Sequence, residues 1–181
     1  MLELSLHILD IMQNALEAGA SRIELAIEEE LSKDLLRIAI TDNGRGMDKA
    51  TLERARDPFF TTRSTRRVGL GIPLFAATAE RCNGSFRIES TPGEGTIVAA
   101  TFQHSHIDRP PIGDMVTTLL SVILAQEHVD LCYRHQVNGR KFEFDTEEVR
   151  TRLGEVPISH PLVRKWLKGY LQEGLSALYS S

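Results

Sequence analysis

The sequence predicts an α+β fold: a two-layer α/β sandwich followed by a small C-terminal α+β module. Three observations point to it. Stretches with apolar residues every three to four positions are interleaved with stretches that alternate apolar and polar, so helices and strands are mixed along the chain. The alternating stretches come in pairs joined by short turns, which reads as hairpins. The run HSHIDRPPIG, with two prolines and a glycine, separates the two parts. The expected division is 1–103, a linker at 104–112, and a helix-hairpin-helix-helix module at 113–181.

Each element has its own signal. Residues 3–18 have helical spacing, with Leu6, Leu9, Met12 (or Gln13) and Leu16 on one stripe widened by Ile8 and Ile11. Gly19 suits the position just past the end of that helix. RIELAIEE turns Ile23, Leu25 and Ile27 inward as a half-buried strand, and LLRIAIT pairs with it across the turn LSKD. DKATLERAR is a short helix capped by Asp48. DPFFTTRSTRRVGLG, rich in Thr, Arg and Gly, is a loop. IPLFAATAERCNG is a helix with Pro73 in its first turn and Gly84 just past its end. SFRIES, the turn TPGEG and TIVAATF form a second hairpin. Beyond the linker, DMVTTLLSVILAQ is a helix, and DLCYRHQVNGRKFEFDT is a hairpin with Asn138-Gly139 at its tip. TEEVRTRLG and PLVRKWLKGYLQEGLSAL close the chain as helices. The second is amphipathic through Leu162, Trp166, Tyr170 (or Leu171) and Leu175, with Trp166 and Tyr170 read as core, and with Phe142 and Phe144 of the hairpin packing in the same way.

Composition narrows the class. A chain of 181 residues suits one ordinary domain with an appendage, or two very small domains. With 41% hydrophobic and 25% charged residues it has the profile of a soluble globular protein. A net charge of −4 argues against a general nucleic-acid binder. Cys82 and Cys132 lie far apart, without metal-site spacing, and read as reduced thiols of a cytosolic protein. The first residues lack the basic start of a signal peptide, and the longest apolar run, MVTTLLSVILA, is too short to span a bilayer. No internal repeat is evident.

The stretch TDNGRGM, residues 41–47, raises the functional question. It puts a carboxylate at the end of an apolar strand, where it needs a partner, and follows it with two glycines that cost folding entropy. Two other pieces belong with it. HILDIMQNALEAGAS places Asp10 and Asn14 at i and i+4 on one helix face. GLGIPL opens a helix with a glycine pair, and such a helix start attracts anions through its free N–H groups. A phosphate chain at that helix would bring Mg²⁺, which prefers oxygen ligands such as the Asn14 amide. Asp42 can accept from an exocyclic amine such as that of adenine, with the glycines letting a flat ring approach the backbone. Taken singly, the pieces have plainer readings. Asp42 could close an Asx-turn. GLG could be a tight turn; it completes neither a dinucleotide fingerprint nor a P-loop. Asp10 could support a metal rather than act as a base, and Arg63, Arg66 and Arg67 could form a solvated face. His7 reads as structural and His106 as a linker histidine.

Together the pieces resemble the GHKL superfamily, the Bergerat ATP-binding fold of gyrases, certain chaperones, histidine kinases and MutL-type repair proteins. DIMQNALEAGAS is similar to the family's N box, DNGRGM to its G1 box, DPFFTTR to the F box of histidine kinases, GLGIPL to their G2 box, and TPGEGTIVAATF to the final glycine-bearing hairpin. The resemblance covers roughly residues 3–102. It implies ATP and Mg²⁺ as cofactors. Asn14 would coordinate the metal and Asp42 hold the adenine amine. Gly44 and Gly46 would line the base pocket with Met47 packing on it, Thr96 would support the base through water, and Ala18 would belong to the ATP site. Val68, Gly69, Leu70 and Gly71 would hold the phosphates, with Arg63 or Arg67 reaching the terminal one. Two departures stand out. Asp10 occupies the place where hydrolysing members carry Glu and histidine kinases Asn, and the lid between PFF and GLG is short.

These implications lead to a free-standing, cytosolic ATP-binding protein with a protein partner or substrate and no nucleic acid or membrane. The C-terminal module, which resembles the tails of bacterial ATP-binding proteins associated with iron hydrogenase clusters, would dock a substrate or pair two chains. Three activities are expected. One is a soluble kinase passing the γ-phosphoryl of ATP to a protein. The second is a nucleotide-gated binding module with slow hydrolysis. The third is a MutL-like intrinsic ATPase with Asp10 as base.

Overall fold

The computed structural model describes residues 3–57 and 70–180. The loop expected around residues 58–69 lies outside them. Helix α1 runs Leu4–Glu17 and buries Leu4, Ile8, Ile11, Met12, Ala15 and Leu16. The expected stripe is corrected at one end: Leu6 is 42% exposed. The helix is flanked on both sides, so its hidden arc is broad and includes His7, which lies against Phe75. Backbone carbonyls from the 104–112 stretch close the start of α1. Leu4 N–H donates to Pro111 O (2.9 Å) and Ser5 N–H to Ile112 O (2.7 Å), meeting donors that a helix start leaves unpaired.

Gly19, with φ of 75°, turns the chain out of α1 into strand β1, Arg22–Glu30. Strand β2, Leu35–Asp42, pairs with β1 as an antiparallel hairpin. Helix α2, Lys49–Arg54, is capped by Asp48, whose side chain accepts from Thr51 N–H. Helix α3, Gly71–Arg81, leads to the hairpin of β3, Phe86–Thr91, and β4, Gly95–Gln103. Helix α4, Met115–Ala125, precedes β5, Asp130–Val137, and β6, Arg140–Asp145. Helices α5, Thr146–Leu153, and α6, Pro161–Leu178, complete the chain.

All six strands form one sheet in the order β3-β4-β2-β1-β5-β6. The hairpin beyond the linker therefore extends the sheet of the first part. Strand β5 pairs in parallel with β1, from Arg22 opposite Asp130 to Glu29 opposite Val137. Helices α3, α1, α4 and α6 pack side by side in that order over one face. Strand periodicity decides which residues they cover, because every second side chain shares a face. In β1 these are Ile23, Leu25 and Ile27; in β2, Leu36, Ile38 and Ile40; in β4, Val98, Ala100 and Phe102. Phe75 of α3 is fully buried among Phe86, Phe102 and His7. The result is the mixed two-layer α/β architecture the sequence predicts.

Helix α6 departs from expectation. Leu167, Leu171 and Leu178 are its buried residues, whereas Leu162 is 71% and Trp166 52% exposed. Gly174 explains the rotation. It shares the face of Leu167, Leu171 and Leu178, and a Cβ there would come within 2.2 Å of the Phe142 ring. The helix approaches the sheet through its glycine, a residue that an apolar-stripe reading passes over. Trp166 stacks on Tyr170 at the surface, and Tyr170 lies over the buried Phe142 and Phe144. Cys82 is buried, Cys132 half-buried, and both are free thiols. His106 sits in the linker turn, its Nδ1 accepting from Asp108 N–H. None of the described helices is long and apolar enough to cross a membrane.

Candidate functional site

The inner face of the sheet is apolar until its last row. There the register sets Ile23 opposite Asp42, Asp42 opposite Thr96, and Thr96 opposite Ser90. Each continues an inward alternation: Asp42 follows Leu36, Ile38 and Ile40, Thr96 precedes Val98 and Ala100, and Ser90 follows Phe86 and Ile88. Three polar side chains thus line the end of the sheet, under the helices and half-buried. Burial pushes the Asp42 carboxyl above its ordinary value, and backbone N–H groups of Gly44 and Thr96 only partly oppose that. Gly44 N–H donates to Asp42 Oδ1 at 2.8 Å, so the Asx-turn forms and uses one carboxylate oxygen.

The loop after Asp42 is held on three sides. Gly44 meets the end of α1, where an added Cβ would lie 2.8 Å from Ala18 Cβ. Arg45 N–H donates to Ala18 O (2.9 Å), and Gly93 N–H of the β3–β4 turn donates to Arg45 O (2.7 Å). Gly46, with φ of 70°, passes so close to Thr91 that a Cβ would sit 2.1 Å from its carbonyl oxygen, which explains a glycine there. Met47 N–H donates to Ser90 Oγ at 2.8 Å. Asn43 supplies a contact that sequence reasoning missed: its Oδ1 accepts from Ser21 N–H (2.8 Å) and Arg22 N–H (3.0 Å), tying the loop to the start of β1. Ser90 was missed as well. Its signal was its place in the Phe86–Ile88–Ser90 alternation, which brings it beside Thr96 once the strands pair.

The second half of the site is the meeting of α1 and α3. Asp10 and Asn14 lie one turn apart on α1, both half-buried. A Cβ on Gly71 would fall 2.8 Å from Asp10 Cβ, so glycine lets the first turn of α3 rest on Asp10. Burial raises the Asp10 carboxyl above its ordinary value. Leu70 precedes α3 and gives it no side-chain cap. The structure brings Asp10, Asn14, Ala18, Asp42, Gly44, Gly46, Met47, Leu70, Gly71 and Thr96 to this end of the sheet and its helices. Arg63, Arg67, Val68 and Gly69 lie outside the described residues. Among the described residues, no three His, Cys, Asp or Glu side chains gather to hold a metal.

Comparison with known proteins gives the family and the fold. Residues 2–106 match the model of the family described as histidine kinase-, DNA gyrase B- and HSP90-like ATPase. The chain belongs to this family. ATP binding goes with membership of the histidine kinase-like ATPases, and several bacterial relatives are named as kinases. The sensor protein kinase FleS of Pseudomonas aeruginosa is 39% identical over 89 residues, which are 49% of this chain and 22% of that protein. The signal transduction histidine-protein kinase AtoS of Escherichia coli is 35% identical over 89 residues, 49% of this chain and 14% of that protein. The chain thus spans less than a quarter of the length of either relative. A crystal structure of the N-terminal domain of a DNA repair protein superposes with a TM-score of 0.56 at 13% identity, covering 79% of this chain and 52% of that one, which shows a shared fold.

Proposed function

We propose that this histidine kinase-like ATPase domain binds magnesium-ATP across the Asp42 row and the start of α3, and passes the γ-phosphoryl group to a protein partner. The observation that carries the reading is the pairing of the half-buried Asp42 carboxylate with a helix start to which Leu70 gives no side-chain cap, on either side of the Asp10–Asn14 face. The donor sets fit the ligand. Asp42 accepts from the adenine amine, Thr96 supports the base through water, and Ala18, Gly44, Gly46 and Met47 form the pocket wall. Leu70 and Gly71 offer backbone N–H groups to phosphate, together with Val68 and Gly69, and Arg63 neutralises the terminal phosphate. Asn14 offers one amide oxygen to magnesium. A metal that takes its other ligands from phosphate and water needs no carboxylate cluster, in keeping with its absence among the described residues. Bound there, magnesium would neutralise phosphate charge, while the chain itself positions the nucleotide. Asp10, on the phosphate side, orients the attacking group.

The test is calorimetric titration with magnesium-ATP, followed by incubation with candidate partners and γ-labelled ATP. Heat on titration and label on a partner are expected. No heat would overturn the nucleotide reading, and binding without transfer to any partner would overturn the kinase reading alone.

A second reading, a nucleotide-gated binding module, is favoured by one contact. Asn43 holds the G1 loop to Ser21 and Arg22; Ser21 O accepts from Asp130 N–H of β5, and Arg22 pairs with Asp145 of β6 at 3.0 Å. The nucleotide loop is therefore joined through two residues to the C-terminal hairpin, a route by which ATP could alter partner binding there. Partner capture that is the same with ATP, ADP and no nucleotide would rule this out. In the third reading, intrinsic hydrolysis, Asp10→Asn should abolish turnover and spare binding.

A further inference from the structure

The sheet ends at β6, and the helix layer ends above it at α6. Among the described residues no strand lies beyond β6. Which of its backbone groups stay open follows from β5. Asp130 N–H donates to Ser21 O and Asn138 N–H to Glu29 O, so the even-numbered residues along β5 turn their backbone groups toward β1. Tyr133, His135 and Val137 turn theirs the other way, to Phe144, Phe142 and Arg140 of β6. Lys141 and Glu143 alternate with these, so their N–H and C=O groups point out of the sheet, and their side chains are exposed. The margin of the helix layer is apolar. Leu162, Trp166 and Tyr170, four apart on α6, are all exposed. Trp166 stacks on Tyr170, whose ring lies 5.7 Å from that of Phe142, so the stripe stands over the open strand. A lysine on an edge ordinarily discourages pairing. Here a glutamate follows two residues on, and the strand becomes complementary to itself.

We propose that β6 pairs antiparallel with β6 of a second copy of this chain, about a two-fold axis at Phe142, joining two sheets into one and covering the aromatic stripe of each α6. With the axis there, Lys141 faces the partner's Glu143, and Glu143 faces the partner's Lys141. Each facing pair exchanges two N–H···O=C bonds, so the outward groups of both residues are met on both copies. The same two pairs set opposite charges at cross-strand distance. An axis at Glu143 would set the two glutamates against each other, and an axis at Lys141 the two lysines, so charge fixes the register. A two-fold axis perpendicular to the sheet keeps both helix layers on one face, with Trp166 and Tyr170 of each copy flanking the axis. Tryptophan and tyrosine are the side chains that most often anchor such contacts. The pairing uses one edge of each copy and closes at two, unlike the open-ended stacking that a bare edge invites. Strands β5 and β1 separate this margin from the Asp42 row, and the proposal does not depend on the nucleotide reading.

The test is sedimentation equilibrium of the intact chain over a concentration series, where a monomer–dimer equilibrium is expected. Glu143→Lys and Lys141→Glu each replace two opposite-charge pairs with two like-charge pairs, and each should weaken the dimer about a hundredfold. Both side chains are exposed, so circular dichroism should show the fold kept in each variant. Trp166→Ala should weaken the dimer by about tenfold. The deciding arm mixes the two charge variants. Lys141→Glu in one copy facing Glu143→Lys in the other restores opposite charges at both pairs, so a mixed dimer should form although neither variant pairs with itself. An intact chain that stays monomeric up to millimolar concentration overturns the proposal and leaves the edge to solvent or to the strand of another protein. A dimer that withstands both charge reversals overturns it too, because the chains then meet elsewhere. So does a mixture of the two variants that yields no mixed dimer.

Discussion

Asp42 and Glu29 face the helices from the two strands of one hairpin, near its opposite ends, and differ in how fully their oxygens are met. Glu29 is 4% exposed and takes hydrogen bonds from three side chains: His135 Nε2 at 2.8 Å, Tyr179 OH at 2.6 Å and His104 Nε2 at 3.0 Å. Tyr133 OH meets the other ring nitrogen of His135 at 2.7 Å. Burial alone would raise the Glu29 carboxyl, but the bonds from His135, Tyr179 and His104 outweigh it and hold the group at about 2. Among the described residues, Asp42 has the backbone donors of its own loop and of Thr96, and burial outweighs them. A buried acid whose acceptor capacity is filled by protein joins parts of the structure; one left partly unfilled has capacity for a ligand. Glu29 draws together β1, β5, the linker and the end of α6, whereas Asp42 is met by the backbone N–H groups of Gly44 and Thr96.

Removing each acid is the strongest way to break this contrast. Glu29→Gln strands donors from three elements and should destabilise the fold by on the order of 3 kcal/mol in urea unfolding. ATP binding measured below the transition should remain. Asp42→Ala should do the reverse: magnesium-ATP affinity should fall about a hundredfold or more, near the loss of one charge-assisted hydrogen bond in a closed site, with unfolding shifted by less than about 1 kcal/mol. If both variants lose stability alike, the contrast is wrong.

Acidity sharpens it further. Glu29 is depressed from 4.5 to about 2, so the unfolded chain binds the proton more readily. Its stabilisation is complete above pH 4.5 and is lost as pH falls through 2. Asp42 is raised above 3.8 and has the opposite sign: its contribution is complete below 3.8 and is lost as pH rises through the folded value. His7, buried beside Phe75, is lowered from 6.5 to about 4 mainly by burial, so stability should decline as pH falls from 6.5 toward 4, a decline that begins before the loss of the Glu29 contribution below 4.5. Unfolding followed from pH 8 to 3 should show that first decline in the intact chain and lose it in His7→Phe. The smallest effect is expected from Tyr179→Phe, which removes one of the three donors to Glu29 and should cost about 1 kcal/mol.

Much of this could be read in the sequence. Local patterns define the strands, the caps at Asp48 and Gly19, and the Asn138-Gly139 tip, because each is decided by a few neighbouring residues. The Asp42–Gly44–Gly46 loop was conspicuous because an acid and two glycines at a strand end contradict ordinary packing. Ser90 and the Glu29 cluster were not legible. Their contacts depend on strand register and join residues as far apart as Glu29 and Tyr179. The face of α6 was misread because the residue that decides it, Gly174, contributes by having no side chain.

The parallel pairing of β5 with β1 has a consequence for any shortened form of the protein. A fragment ending at the linker would leave the nine-residue strand Arg22–Glu30 as a bare outer margin, its amides and carbonyls on one side unmatched. Such a margin invites neighbouring molecules to stack onto it, so the C-terminal hairpin acts as a built-in guard against self-adhesion, whatever else it binds.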